Sequence, residues 1–119
     1  MDIIITGASG FVGTNLSEFL RKKGHSVTGF SIRSNWKLSK SADALIHLAG
    51  KAHDTENVSK NEEYFQINTV LTKKIFDDFL KSEIRDFFFF SSVKAVADSV
   101  EGILDEEIQP NPKTPYGKS

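Results

Sequence analysis

The sequence predicts an α/β fold built on a parallel sheet. Three observations carry that reading. Short apolar runs alternate with longer helical patterns along the whole chain. The runs are almost continuously apolar, as in strands covered on both faces, rather than alternating as in strands with one wet face. The first run leads directly into a glycine-spaced turn and then an amphipathic pattern. At 119 residues the chain fits one compact domain with a single core, and it shows no internal repeat or low-complexity tract.

The first strand is expected over 3–6, where three isoleucines precede Thr6. The first helix should begin near Gly10 and carry Phe11, Val12, Leu16, Phe19 and Leu20 on one face. Arg21, Lys22 and Lys23 suit the negative end of its dipole, and Gly24 supplies the stop. Further strands are expected over 27–30, 44–48 and 87–90. The last contains four consecutive phenylalanines, an aggregation hazard on a sheet edge, so it is expected to be central. A long helix over 62–81 places Phe65, Asn68, Leu71, Thr72, Ile75, Phe76 and Phe79 on one stripe. Asn68 is the polar member, and a buried amide must find partners. It either ties two backbone segments together, the commoner case, or touches a ligand.

Composition excludes several functions. With 15 basic against 16 acidic residues, no counterion-driven nucleic-acid binding and no attraction to anionic lipid are expected. There are no cysteines for disulfides or thiolate metal sites, and the three histidines, His25, His47 and His53, are scattered, so no metal is expected. The N-terminal apolar run is too short for a signal core or a membrane span. The protein reads as cytoplasmic, with small-molecule or protein partners and no membrane partner.

The chemical signal is strongest at Gly7, Gly10 and Gly13, spaced G-x-x-G-x-x-G between a strand and a helix. The first glycine permits a tight turn, the second lets backbone approach a pyrophosphate, and the third lets helix and strand pack closely. The helix N-terminus adds N–H donors and partial positive charge. This context points to a dinucleotide-binding, Rossmann-type fold. Gly117-Lys118-Ser119 superficially matches the end of a nucleoside-triphosphate P-loop, but that loop needs a glycine where Pro112 stands, and it must follow a strand.

Further blocks carry a family resemblance: Thr6 to Gly13, then Asp43-Ala44-Leu45-Ile46-His47-Leu48-Ala49-Gly50, Asn68, Phe89-Phe90-Ser91-Ser92, and Pro115-Tyr116-Gly117-Lys118-Ser119. In order and rough spacing the chain resembles the N-terminal part of an extended short-chain dehydrogenase/reductase, of the NAD-dependent nucleotide-sugar epimerase and dehydratase group. The resemblance runs the whole length. It implies a cofactor site made from Gly7, Ser9, Gly10, Phe11, Val12 and Gly13, with Leu48, Ala49, Gly50, Asn68 and Ser91 beside it. It also implies a catalytic pair, Ser92 holding the substrate oxygen and Tyr116 moving the proton, with Ser91 as the fallback for Ser92.

A phenol is a poor base at neutral pH unless a cation stabilises the phenolate. Family members place a lysine four residues after the tyrosine, whereas Lys118, two residues on, points elsewhere. The sequence is therefore expected to be a fragment, residues 1–119 of a longer protein, ending just after the catalytic tyrosine and inactive alone. Two departures from the family pattern matter, and a third point narrows the subfamily. The interval from Ser31 to Asp43 has little room for the helix and strand usual in the family, so one edge strand is expected to be absent or reduced. Where NAD-dependent members carry an acid for the ribose hydroxyls, this chain has Ser31, then Ile32 and Arg33. Arg33 suits a 2′-phosphate or merely solvent, so the cofactor reads as NAD with NADP as the alternative. The acidic pair that dehydratases place after the Ser/Thr is Val93 and Lys94 here, which disfavours dehydration. What remains is a UDP-hexose 4-epimerase type of nucleotide-sugar enzyme. A sugar or ketone reductase and a non-catalytic dinucleotide-binding module are the alternatives. Uncovered apolar surface is expected to promote self-association, in the simplest case a homodimer.

Overall fold

The computed structural model describes residues 1–32, 36–38, 41–52 and 61–119. Strands β1 (Asp2–Thr6), β2 (Ser26–Phe30), β3 (Ala44–His47) and β4 (Asp86–Phe89) form one four-stranded sheet in the order β2-β1-β3-β4. All three pairings are parallel, with Ile5 lying between Gly29 and Ile46. The near-continuous apolar run of β1 has a direct cause. Successive residues point to opposite faces, so Ile4 packs with Leu45, Ile75 and Ile84 on one side while Ile3 and Ile5 pack with Ile46, Leu16 and Leu20 on the other. At the amino ends of the strands, Asp43 accepts the Asp2 N–H at 2.7 Å and pairs with Arg85, bonds that hold its carboxyl below the ordinary value.

Helix α1 (Phe11–Lys22) starts from Gly10 as its cap, and the chain turns out through Gly24 at φ +85°. Its packing is narrower than the sequence implies. Leu16 and Leu20 meet the sheet, whereas Phe11 is 87 % exposed and Val12 and Phe19 are also exposed.

The long helix forms as expected over most of its length, but in three parts: α2 (Asn61–Tyr64), a π-helical turn (Phe65–Val70) and α3 (Leu71–Phe79). The π turn breaks the 3.6-residue rhythm on which the sequence stripe was counted. Tyr64 and Ile75 are the buried members, and Phe65 and Phe76 are exposed. In the interval after β2, the described residues contain no strand, in keeping with the shortened connection. Ile32 and Leu38 are buried there, Trp36 sits edge-on to Phe30 with ring centroids 5.6 Å apart, and the Lys74 ammonium lies 5.0 Å from the Trp36 ring centre.

The expectation that the phenylalanine strand is central does not hold in this chain. β4 is an edge, with Phe88, Phe89 and Phe90 exposed at 52–57 %, because no described segment lies beside it. Phe87 packs inward against Phe76 and Phe79, and Phe89 keeps a stacked contact with the ring of His47. No helix among the described residues is long and apolar enough to cross a membrane.

Candidate active site

The glycine turn shows why each glycine stands where it does. Gly7 adopts φ +71°, and a Cβ there would fall 2.8 Å from the Ala49 nitrogen. At Gly13 a Cβ would fall 2.2 Å from the Gly7 carbonyl oxygen. These contacts are with backbone, which cannot swing aside, so the turn is pressed at once against the helix and against the end of β3. Gly10 N–H donates to the Gly7 carbonyl at 3.0 Å, and the first helical bond runs from Thr14 N–H to the Gly10 carbonyl at 2.9 Å. The N–H groups of Phe11, Val12 and Gly13 therefore have no helical carbonyl before them and stay available to an anion at the positive end of the dipole. Ser9 is exposed on the same turn.

Beside the turn, the floor is set by a buried hydrogen-bond relay. Thr6 Oγ1 accepts the N–H groups of Leu48 and Ala49, each at 3.2 Å, and lies 2.6 Å from His47 Nδ1. A hydroxyl has one proton and two lone pairs. His47 Nε2 lies 2.8 Å from Thr72 Oγ1, so each nitrogen of the neutral ring meets a hydroxyl, one donating and the other accepting. His47 is 1 % exposed and lies against the rings of Phe87 and Phe89. Burial pushes its pKa down to about 4. Sequence reasoning missed this relay, because a lone histidine in an apolar run carries no pattern of its own.

The carboxyl ends of β3 and β4 open into a cavity of about 410 Å³. Leu48, Ala49, Gly50, Asn68, Ser91, Ser92 and Tyr116 all line it. Seven of the expected site residues, drawn from blocks far apart in sequence, thus line one cavity. Ser92 caps a 3₁₀ turn (Val93–Ala95) by accepting the Lys94 N–H at 3.2 Å, which uses a lone pair and leaves the hydroxyl proton to donate. Tyr116 sits on α4 (Pro115–Lys118), whose cap is Thr114. The short helix is docked rather than loose. Gly117 is buried, Asn68 Nδ2 donates to Ser119 Oγ at 3.0 Å, and the Tyr116 ring packs 6.2 Å from that of Tyr64.

Asn68 performs the tying role. Its Oδ1 accepts the Lys51 N–H at 2.7 Å and its Nδ2 donates to the Lys51 carbonyl at 3.0 Å, so the amide fixes the strand following Gly50. Lys51 and Tyr64 were not singled out from the sequence. The Lys51 ammonium lines the cavity, lies 5.7 Å from the Tyr64 ring centre and pairs with Glu63 at 3.3 Å. Ser31 stands exposed after β2, away from these lining residues, and Arg33 lies outside the described residues.

The family model of the NAD dependent epimerase/dehydratase family matches residues 3–119. The chain belongs to that family. NAD is the family's cofactor, and the turn fits it: Gly7 and Gly13 let the turn close tightly on the helix and on the end of β3, and three N–H groups remain for a pyrophosphate. Among curated proteins, the chain is 23 % identical to a UDP-glucose 4-epimerase of Halalkalibacterium halodurans over 143 residues, covering 100 % of this chain and 43 % of that protein. Among solved structures, it is similar to MoeE5 in complex with UDP-glucuronic acid and NAD, with TM-score 0.85 and 24 % identity over 99 % of this chain and 45 % of the other. A UDP-glucuronic acid 4-epimerase from Bacillus cereus in complex with NAD gives TM-score 0.83 and 24 % identity over 99 % of this chain and 48 % of the other. This epimerase/dehydratase family chain thus spans less than half the length of these relatives.

Proposed function

We propose that residues 1–119 form the NAD-binding part of a cytoplasmic nucleotide-sugar epimerase of the UDP-hexose 4-epimerase type. The observation that carries this reading is that Ser92 and Tyr116 line the same cavity as Leu48, Ala49 and Gly50, with Ala49 against the glycine turn. Gly7, Ser9, Gly10, Phe11, Val12 and Gly13 would hold the pyrophosphate, and the small floor residues would leave room for the ribose and nicotinamide. When bound, NAD supplies the electron-pair acceptor for a reversible oxidation at a sugar carbon.

Tyr116 takes the proton of the sugar hydroxyl as that carbon becomes a ketone and returns it when the alcohol is restored. Ser92 donates a hydrogen bond to the same oxygen and so holds it against the phenol. Asn68, with both ends of its amide engaged by Lys51 and Ser119, keeps the floor and the tyrosine helix in register. No lysine stands one helical turn after Tyr116 within these residues, so the 119 residues alone are expected to bind NAD without turnover. The test is interconversion of UDP-glucose and UDP-galactose by the whole protein. Turnover with no net change in NAD absorbance supports epimerisation. Stoichiometric consumption of reduced cofactor would identify a reductase instead.

A further inference from the structure

Between Ser92 and Tyr116 the chain makes a long excursion over residues 93–114, with no regular element except the 3₁₀ turn at its start. Something must set where that excursion returns, because Tyr116 has to arrive at a fixed separation from Ser92. We propose that Asp98 is the positioning residue that does so, acting on Tyr116 through Thr114.

The carboxylate grips the returning chain with three bonds. Its Oδ2 accepts the N–H groups of Lys113 at 2.6 Å and Thr114 at 3.3 Å, and its Oδ1 accepts the Thr114 hydroxyl at 2.8 Å. These bonds, with that of Lys113 the largest cause, hold the carboxyl below its ordinary value and keep it charged. A carboxylate can only accept. The single proton of Thr114 is therefore committed to Asp98, and the hydroxyl lone pairs are left for the Gly117 N–H at 3.2 Å, the bond that caps the helix carrying Tyr116. The direction of the cap is imposed by the charge behind it.

The other end of the clamp reaches Ser92. Lys94 Nζ donates to the Asp98 carbonyl at 2.7 Å, and Lys94 N–H donates to Ser92 Oγ. Gly117 is pressed on the same turn, since a Cβ there would fall 2.4 Å from the Lys94 carbonyl oxygen. A continuous path, Ser92 to Lys94 to Asp98 to Thr114 to Gly117, thus joins the two catalytic residues, and Asp98 is its middle link.

The significance for catalysis rests on the epimerase reading, so the experiment has two independent arms. In the whole protein, Asp98→Ala is expected to lower kcat on the order of 10²-fold, the effect of a misplaced reacting group, with NAD affinity within about twofold of wild type. Thr114→Val should match it, Thr114→Ser should restore near-normal kcat, and the double variant Asp98→Ala/Thr114→Val should be no worse than either single change. In the second arm, amide hydrogen exchange without substrate should be faster at Gly117 in Asp98→Ala and Thr114→Val but not in Thr114→Ser. Unchanged Gly117 exchange in Asp98→Ala overturns the clamp, and so do additive losses in the double variant. A wild-type protein with no epimerase turnover, whose Gly117 exchange nevertheless responds, would remove the epimerase reading and leave the clamp standing.

Discussion

Acidification should weaken this fold through one side chain. His47 is neutral in the folded protein, with the Thr6 hydroxyl at Nδ1 and the Thr72 hydroxyl at Nε2. A second ring proton would place a charge where only 1 % of the residue meets water. The folded pKa of about 4 lies below the ordinary 6.5. The unfolded chain therefore takes up the proton first, and stability is full above about pH 6.5 and lost as pH falls toward 4. The shift of about 2.5 units corresponds to about 3 kcal/mol in total and about 2 kcal/mol at pH 5. Against a typical domain stability of about 5–15 kcal/mol this is a large share. The assay is urea unfolding followed by fluorescence of Trp36, the single tryptophan, at pH 7.5 and pH 5. The midpoint should fall by about 1 M urea in the wild type. His47→Gln should start lower and lose much less over the same interval, since every other titrating group is retained. Asp43 and Asp98, whose carboxyls are also held low, withdraw their stabilisation only below the ordinary carboxylate value, outside this window. Equal losses in the two proteins would refute the argument.

Gly13→Ala should abolish NAD binding and lower stability, although alanine normally favours a helix by about 1 kcal/mol over glycine, because its Cβ would meet the Gly7 carbonyl at 2.2 Å; calorimetry and thermal melts check both effects. Asn68→Ala leaves the Lys51 N–H and carbonyl unpaired and should cost about 1–3 kcal/mol in urea unfolding. Tyr116→Phe in the whole protein should remove most UDP-hexose interconversion while NAD affinity stays within about twofold, and robust activity in that variant would show that the phenol is not the base. Phe88→Lys and Phe90→Lys, on the exposed edge strand, should reduce concentration-dependent association in sedimentation velocity.

The glycine turn was fully legible in the sequence because its constraint is local: three residues without Cβ, between a strand and a helix, admit little else. The convergence of Ala49, Ser92 and Tyr116 was legible only through the resemblance, since spacing along the chain does not say which strand ends adjoin. The relay through Thr6, His47 and Thr72 and the grip of Asp98 on Thr114 were invisible for a related reason. Each joins polar side chains from separate segments, and no period or motif marks them. The placement of β4 failed because hazard at an edge is an argument about what a sheet tolerates, whereas its neighbours are decided by which segments are there to pair. Phe65 was misassigned to the buried stripe because a π turn leaves no mark in the hydrophobic pattern, whereas Phe76, beyond that turn, keeps its contact with Phe87 while 40 % exposed.

That π turn has a geometric consequence for the helix that contains it. At 100° per residue, Tyr64 and Ile75, eleven positions apart, would fall within about 20° of one another on an uninterrupted α-helix. A π turn acts as one surplus residue, so the two are out of phase by roughly a quarter revolution. The rotation lets a single rod serve two clients, Tyr64 turned to the ring of Tyr116 and Ile75 to the core of the sheet. Rewinding the turn as regular α-helix with the same residues would bring the rod back into phase, and one of those two contacts would have to be given up.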